Sequence, residues 1–145
     1  MKIRQILQGK TINTIYSVTS DTTVYEALET MAQKNIGAVL VIDDSNLSGI
    51  FSERDYARKG ILKGRASKDT LIREVMTANL ITISSGQKLE EAMIIMSDKH
   101  IRHLPVVDEG QLIGIISIND VVSAIIRDQK ARIDSLESYI SGSPY

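Results

Sequence analysis

The sequence predicts an α+β fold built from two copies of one small unit, each running strand, helix, strand, strand, helix. The first observation behind this is an internal repeat. Sliding residues 18–55 onto 83–120 without a gap gives thirteen identities in thirty-eight positions, and several other pairs exchange one apolar residue for another. The identities are Ser20, Glu26, Ala27, Met31, Lys34, Ile36, Val41, Asp43, Leu47, Gly49, Ile50, Ser52 and Asp55 with their counterparts sixty-five residues on. The second is that the repeat ends in one motif made twice, Gly49-Ile50-Phe51-Ser52-Glu53-Arg54-Asp55 and Gly114-Ile115-Ile116-Ser117-Ile118-Asn119-Asp120. The third is physical. A three-stranded unit cannot cover both faces of its sheet, so two copies packed through their sheets about a pseudo-twofold axis are expected. The expected division is 1–65 for the first unit, 66–130 for the second, and 131–145 for a helical extension and tail.

Each element follows from its residues. Ile3-Arg4-Gln5-Ile6-Leu7 reads as a helical turn, repeated as Ile72-Arg73-Glu74-Val75-Met76 before the second unit. The first unit carries extra residues around Gly9–Asn13. Thr14–Val18, rich in β-branched and aromatic residues, reads as a first strand. Thr23-Val24-Tyr25-Glu26 is a capping box, and Val24, Ala27, Leu28 and Met31 form the apolar face of the helix it opens. Asn35 and Gly37 mark its stop. Ala38–Ile42 is a continuous apolar run, as expected of a strand buried on both faces. Asp43-Asp44-Ser45-Asn46 is a turn, Leu47–Phe51 returns as a hairpin strand, and Ser52–Arg58 opens a helix. The second unit repeats this plan with Leu80–Ser84, Leu89–Lys99, Leu104–Val107, a turn at Asp108-Glu109-Gly110, Leu112–Ser117, and a long helix from Asn119.

That last helix outlasts the repeat. Val122, Ile126, Gln129, Ile133, Leu136 and Ile140 alternate steps of four and three, a heptad-like stripe with one polar interruption, and Gly142 offers a stop. The stripe needs a partner surface. A homodimer is the expected one, and folding back onto the same chain is the competing arrangement.

Composition narrows function by exclusion. Seventeen basic residues against eighteen acidic ones give no global field for nucleic acid or membrane. No apolar run is long enough to span a bilayer, so a cytoplasmic protein is expected. With no cysteine there is no disulfide, thiolate metal site or cysteine nucleophile. His100 and His103 lie three apart without a third ligand type recurring around them, so they read as polar residues between a helix and a strand. No nucleophile–base pair recurs, and no catalytic residue is assigned. Residues 54–68 hold Arg54, Arg58, Lys59, Lys63, Arg65 and Lys68 against one acid, Asp55. This is either a solvated linker, an anion site beside the first motif, or a nucleic-acid surface, the last with little aromatic interleaving for stacking.

At a strand-to-helix junction, Gly-x-x-Ser-x-x-Asp places the serine at the helix N-cap and the aspartate at N3. Alone, this is a capping box that needs no ligand. A serine hydroxyl beside helix amides also suits a phosphate, and a carboxylate offers two acceptors to a vicinal diol. A glycine upstream leaves space for a base. Phosphate, ribose and base together describe an adenosine nucleotide. With no Gly-Lys-Ser/Thr phosphate loop and no metal-binding carboxylate pair, such a site would hold a nucleotide without cleaving it.

The paired G-h-h-S-x-x-D motifs, the helix starts T-V-Y-E-A and L-E-E-A-M, and the strand H-L-P-V-V at His103–Val107 carry a family resemblance. The chain resembles a tandem pair of cystathionine-β-synthase (CBS) domains, a Bateman module, over about residues 1–130. The resemblance implies clefts between the units for AMP, ADP, ATP, NAD(H) or S-adenosylmethionine. It implies that Asp55 and Asp120 take ribose hydroxyls and that Ser52 and Ser117 assist phosphate. Backbone at Gly37, Ala38 and Val39 and at His103 and Leu104 would frame the bases, with Tyr16, Ser17, Val18 and Thr82 on the opposite walls. Arg54, Arg102 and His100 would be the charge partners. Beside Asp120 stands neutral Asn119, so the second cleft must borrow charge and the first is expected to bind more tightly. The function expected is a non-catalytic adenosine-nucleotide sensor, probing its ligand for an unidentified partner protein. Its rivals are a ligand-free dimerisation scaffold and a nucleic-acid-binding regulator using residues 54–68.

Overall fold

The computed structural model describes residues 1–10 and 14–141. Thr11–Asn13 and the expected helix stop at Gly142 lie outside the described residues. The chain has an α+β architecture. Packing divides it into two compact units, one holding Thr14–Ile81 and the other joining the N-terminal segment to Thr82 and all that follows. Residues 66–81, counted with the second copy in the sequence, thus pack with the first, and the N-terminal helical turn packs with the second.

In the Thr14–Ile81 unit, β1 (Ser17–Val18) runs parallel to β2 (Ala38–Asp43), and β2 pairs antiparallel with β3 (Asn46–Ser52). The hairpin turns through Asp44 and Ser45, both at positive φ, the handedness that matches the twist of the flanking strands. Helix α2 (Val24–Lys34) is capped by the Thr23 hydroxyl, which accepts from the Glu26 N–H at 3.2 Å. It ends at Asn35 in the left-handed region, φ 54°, so Asn35 rather than Gly37 makes the stop. Val24, Ala27 and Met31 face a core with Val39, Val41, Phe51, Ile72 and Val75, while Leu28 packs at its edge. The helix expected at Ser52–Arg58 is α only at α3 (Glu53–Asp55). It widens to a π-turn over Tyr56–Gly60 and then tightens to a 3₁₀ turn over Ile61–Lys63.

The other unit repeats the pattern with α4 (Leu89–Lys99), β4 (His103–Asp108), β5 (Gln111–Ser117) and the long α5 (Ile118–Ile140); helix α1 (Ile3–Gly9) joins it from the N-terminus. Helix α4 ends at His100, φ 55°, the counterpart of Asn35. The expected first strand, Leu80–Ser84, is reduced to a single bridge between Ile83 and Val106. Pro105 explains the loss. Its counterpart Leu40 donates an N–H to the Tyr16 carbonyl at 3.2 Å, and proline has no N–H to give. In the first copy too the strand is shorter than Thr14–Val18.

Each sheet is tied down by the helical segment that precedes the other copy in sequence. Ile72 N–H donates to the Thr22 carbonyl at 2.8 Å and Arg73 N–H to Ser20 at 3.1 Å; likewise Ile3 N–H donates to Gln87 and Arg4 N–H to Ser85, both at 3.0 Å. The segment starts are capped alike, with Leu71 N–H donating to Glu74 Oε2 at 2.8 Å and Lys2 N–H to Gln5 Oε1 at 2.7 Å. Ile3, Ile6, Ile72 and Val75 are buried. The repeated Ser20–Asp43 and Ser85–Asp108 pairs fasten the same corner, each serine N–H donating to the aspartate at 2.9 Å. These hydrogen bonds hold both carboxyls below the usual range, Asp43 chiefly through the Ser20 backbone and Asp108 chiefly through the Ser85 hydroxyl.

The repeated glycines are the contact points. A Cβ on Gly49 would lie 2.8 Å from the Thr77 carbonyl oxygen and 2.9 Å from Met76 Sδ; one on Gly114 would lie 2.8 Å from a Leu7 methyl. The space expected to admit a base is filled by the chain itself. Gly49→Ala, which meets backbone, should therefore destabilise by about 1–3 kcal/mol. Gly114→Ala should cost less, and Leu7→Ala should partly rescue it. Urea midpoints of the three variants check this ordering.

Candidate functional site

The motif residues of each copy gather at one end of a hairpin. Ala38 stands opposite Ser52 in the β2–β3 register, and His103 opposite Ser117 in β4–β5. The first helical N–H is spent locally, Glu53 donating to the Gly37 carbonyl at 3.1 Å and Ile118 to the Arg102 carbonyl at 2.8 Å. Serine caps both helices. Asp55 N–H donates to Ser52 Oγ at 3.2 Å and Asp120 N–H to Ser117 Oγ at 3.1 Å. The aspartates reciprocate, Asp55 Oδ2 accepting from Ser52 N–H at 3.0 Å and Asp120 Oδ2 from Ser117 N–H at 2.8 Å. The capping boxes are thus real in both copies, and they fix each carboxylate beside its hairpin.

Around these identical cores the surroundings differ. At the first motif the Ser52 hydroxyl donates to Asp55 Oδ2 at 3.1 Å, the Thr77 hydroxyl donates to Oδ1 at 3.1 Å, and Lys59 Nζ lies 3.3 Å from Oδ1. At the second, Lys10 Nζ lies 3.0 Å from Asp120 Oδ2 and donates to the Ile115 carbonyl at 2.8 Å. His103 is half-buried there. Burial pushes its imidazole below the ordinary value; the Asp120 carboxylate pulls it up, and the Lys10 and Arg102 cations add to the lowering.

The remaining expected residues fall into three groups. Arg54, Arg102 and Asn119 are exposed beside the motifs, Arg54 and Asn119 within them and Arg102 just before β4, and Ser17 and Thr82 are exposed at the strand entries. Ala38, Val39 and Leu104 are buried in the core, so they can offer a ligand backbone at most. Tyr16 and Val18 pack at the core edge, with Lys34 Nζ 5.4 Å above the Tyr16 ring. Of the basic segment, Arg65 pairs with Glu74 at 2.9 Å, Lys59 with Asp55, and Lys68 lies 4.8 Å over the Tyr25 ring. Thr77 and Lys10 escaped the sequence reading as site residues, and Lys59 entered it only as part of the basic segment. Lys59 alone left a signal, its four-residue spacing from Asp55 on a helix. Among the described residues, no group of three or more His, Asp or Glu is placed to hold a metal, and no helix is long and apolar enough to cross a membrane.

Two copies of a helix, a hairpin and a second helix, joined at a serine-capped and aspartate-bearing junction, define a tandem-repeat α+β module. The chain matches the CBS domain at residues 10–61 and again at 72–127, well over half its length, and it belongs to that family. It is similar to a solved CBS-domain protein from Burkholderia ambifaria MC40-6, with 46% identity and a TM-score of 0.86 over 89% of this chain and 96% of that one. It is 42% identical over 129 residues to the CBS domain-containing protein CBSX3, mitochondrial, of Arabidopsis thaliana, covering 86% of this chain and 63% of that protein. The CBS domain pair of protein MJ0100, solved with 5′-methylthioadenosine and S-adenosyl-L-methionine, aligns at 25% identity and a TM-score of 0.76, over 89% of this chain and 98% of that one.

Proposed function

We propose that this chain is a non-catalytic sensor of an adenosine-containing ligand (AMP, ADP, ATP, NAD(H) or a related adenosyl compound) that signals to a partner protein in the cytoplasm. The observation that carries the reading is the carboxylate held twice beside a capped helix start, Asp55 and Asp120, in a family whose MJ0100 pair is solved with two adenosyl ligands. A vicinal diol donates two hydrogen bonds, and a carboxylate accepts them. In this reading the motif aspartates take the ribose. Ser52 and Ser117 assist the phosphate, with Arg54, Arg102 and His100 as charge partners. At the first motif the backbone of Gly37, Ala38 and Val39 frames the base and Tyr16, Ser17 and Val18 line the approach; at the second the backbone of His103 and Leu104 frames it, with Thr82 at the approach and Asn119 within the motif. Ligand shifts the protein between arrangements only by its differential affinity for them, which is how occupancy would reach a partner. Thermal melting with AMP, ATP, NADH and S-adenosylmethionine tests it. A ligand at 100 times its Kd should add ~2.7 kcal/mol. The gain should vanish in the Asp55→Ala/Asp120→Ala double variant, whereas no gain from any of these compounds would support a ligand-free scaffold.

The same reading includes a homodimer built by a second copy on α5. Every residue from 131 to 141 is exposed. The stripe is exposed with them, Ile126 at 60%, Ile133 at 54% and Leu136 at 60%, so the described residues leave it uncovered. With Ile126, Ile133 and Ile140 at a positions and Val122, Gln129 and Leu136 at d, the β-branched a positions suit a two-stranded pairing, and the flanking charges favour the parallel one. That pairing sets Arg132 of one chain, at g, against Glu137 of the other, at e. The antiparallel register that aligns all six stripe positions sets Arg132 against Arg132. Arg132 reaches Asp128 at 3.3 Å within the chain, an exposed pair worth little to hold. Ile133→Asp should convert the dimer to a monomer by analytical ultracentrifugation while leaving the thermal transition of the repeats in place.

A further inference from the structure

We infer that a ribonucleoside bearing a free vicinal diol is taken at the second motif, by Asp120 with Lys10, and that the first motif is closed by its own chain. The inference deepens the sensor reading, rests on it, and narrows its two motif aspartates to one. A carboxylate has about four lone-pair positions. On Asp55 all are engaged: Oδ2 by the Ser52 N–H and hydroxyl, Oδ1 by the Thr77 hydroxyl and Lys59. The Thr77 backbone is fixed beside Asp55, its N–H and carbonyl both pairing with Ile50, at 2.8 and 3.0 Å. A ligand at Asp55 would have to displace these side-chain donors.

Asp120 is arranged differently. Both its contacts, from Ser117 N–H and Lys10, fall on Oδ2, and Oδ1 has no hydrogen-bond donor among the described residues. Its side chain is 23% exposed against 12% for Asp55, so the second carboxylate is the more accessible one. The Ser117 hydroxyl accepts from Asp120 N–H but donates to nothing within the described residues, whereas the Ser52 hydroxyl hydrogen is consumed by Asp55. Lys10 has three N–H donors and spends two, on Ile115 and Asp120. The second motif therefore offers a diol acceptor in Oδ1, and hydroxyl and ammonium donors for the oxygens of an anionic 5′ substituent. It also opens a helix of 23 residues, against a three-residue α-turn at the first motif. Lys10, from outside the repeat, supplies the charge that was expected from Arg102 or His100, and the order of affinities expected from Arg54 is reversed.

Isothermal titration of the full chain with AMP and with 5′-methylthioadenosine tests this. The wild type should bind one ligand per chain, and its 2′,3′-dideoxy analogue at least tenfold more weakly. Asp120→Asn should weaken binding at least tenfold, and Lys10→Gln should weaken AMP more than 5′-methylthioadenosine, which carries no phosphate. Thr77→Val/Lys59→Met should open the first motif and raise the stoichiometry to two, a gain that misfolding cannot imitate. Two sites in the wild type, full affinity in folded Asp120→Asn, or loss through Asp55→Asn alone would overturn the inference and leave the sensor reading standing. No binding of either compound to the wild type would overturn both.

Discussion

Gly49 and Gly114 set how closely a helical segment can lie against each hairpin, and the environment of each motif aspartate follows from that approach. Because Gly49 has no side chain, Met76 and Thr77 pass within van der Waals reach of the sheet, and Thr77 exchanges both backbone bonds with Ile50. That places its hydroxyl on Asp55. At Gly114 the segment in contact is α1 through Leu7, and the chain just beyond it delivers Lys10 to Ile115 and Asp120. One constraint, made twice, thus puts a hydroxyl at one carboxylate and an ammonium at the other. The motifs share their glycine, serine and aspartate and are unequal by chemistry, because the segments that cover them differ.

The units depend on this exchange for their cores as well. A hairpin and one amphipathic helix leave the far edge of each sheet open. Ile72 and Val75 close one, and Ile3 and Ile6 close the other. Each such segment precedes one copy and completes the other, so neither copy holds a full core with its own residues alone. This gives a physical reason for the two CBS matches to occur together in the chain.

The sequence showed helices and hairpins readily, because α2 and α4 have a 3.6-residue apolar face and the hairpins are bounded by residues suited to positive φ. Ser52, Asp55, Ser117 and Asp120 were legible as capping boxes because their spacing is local. The first strand of the second copy was not, since one proline removes a donor that periodicity does not register. The π-turn at Tyr56–Gly60 had no sequence signal, and Gly60 there lies against the Tyr56 ring. Lys10 and Thr77 were illegible for a different reason: each lies in a segment whose partner is set by the packing of distant elements. What distinguishes the two motifs is the part that only the fold supplies.

The most direct test of the account is a crystal structure of the full chain grown with 5′-methylthioadenosine. The account predicts one adenosyl group per chain, with its ribose hydroxyls within hydrogen-bond distance of Asp120 Oδ1 and the Thr77–Asp55 contact intact. A ribose on Asp55 with Asp120 unoccupied, or an adenosyl group that touches neither aspartate, would contradict it.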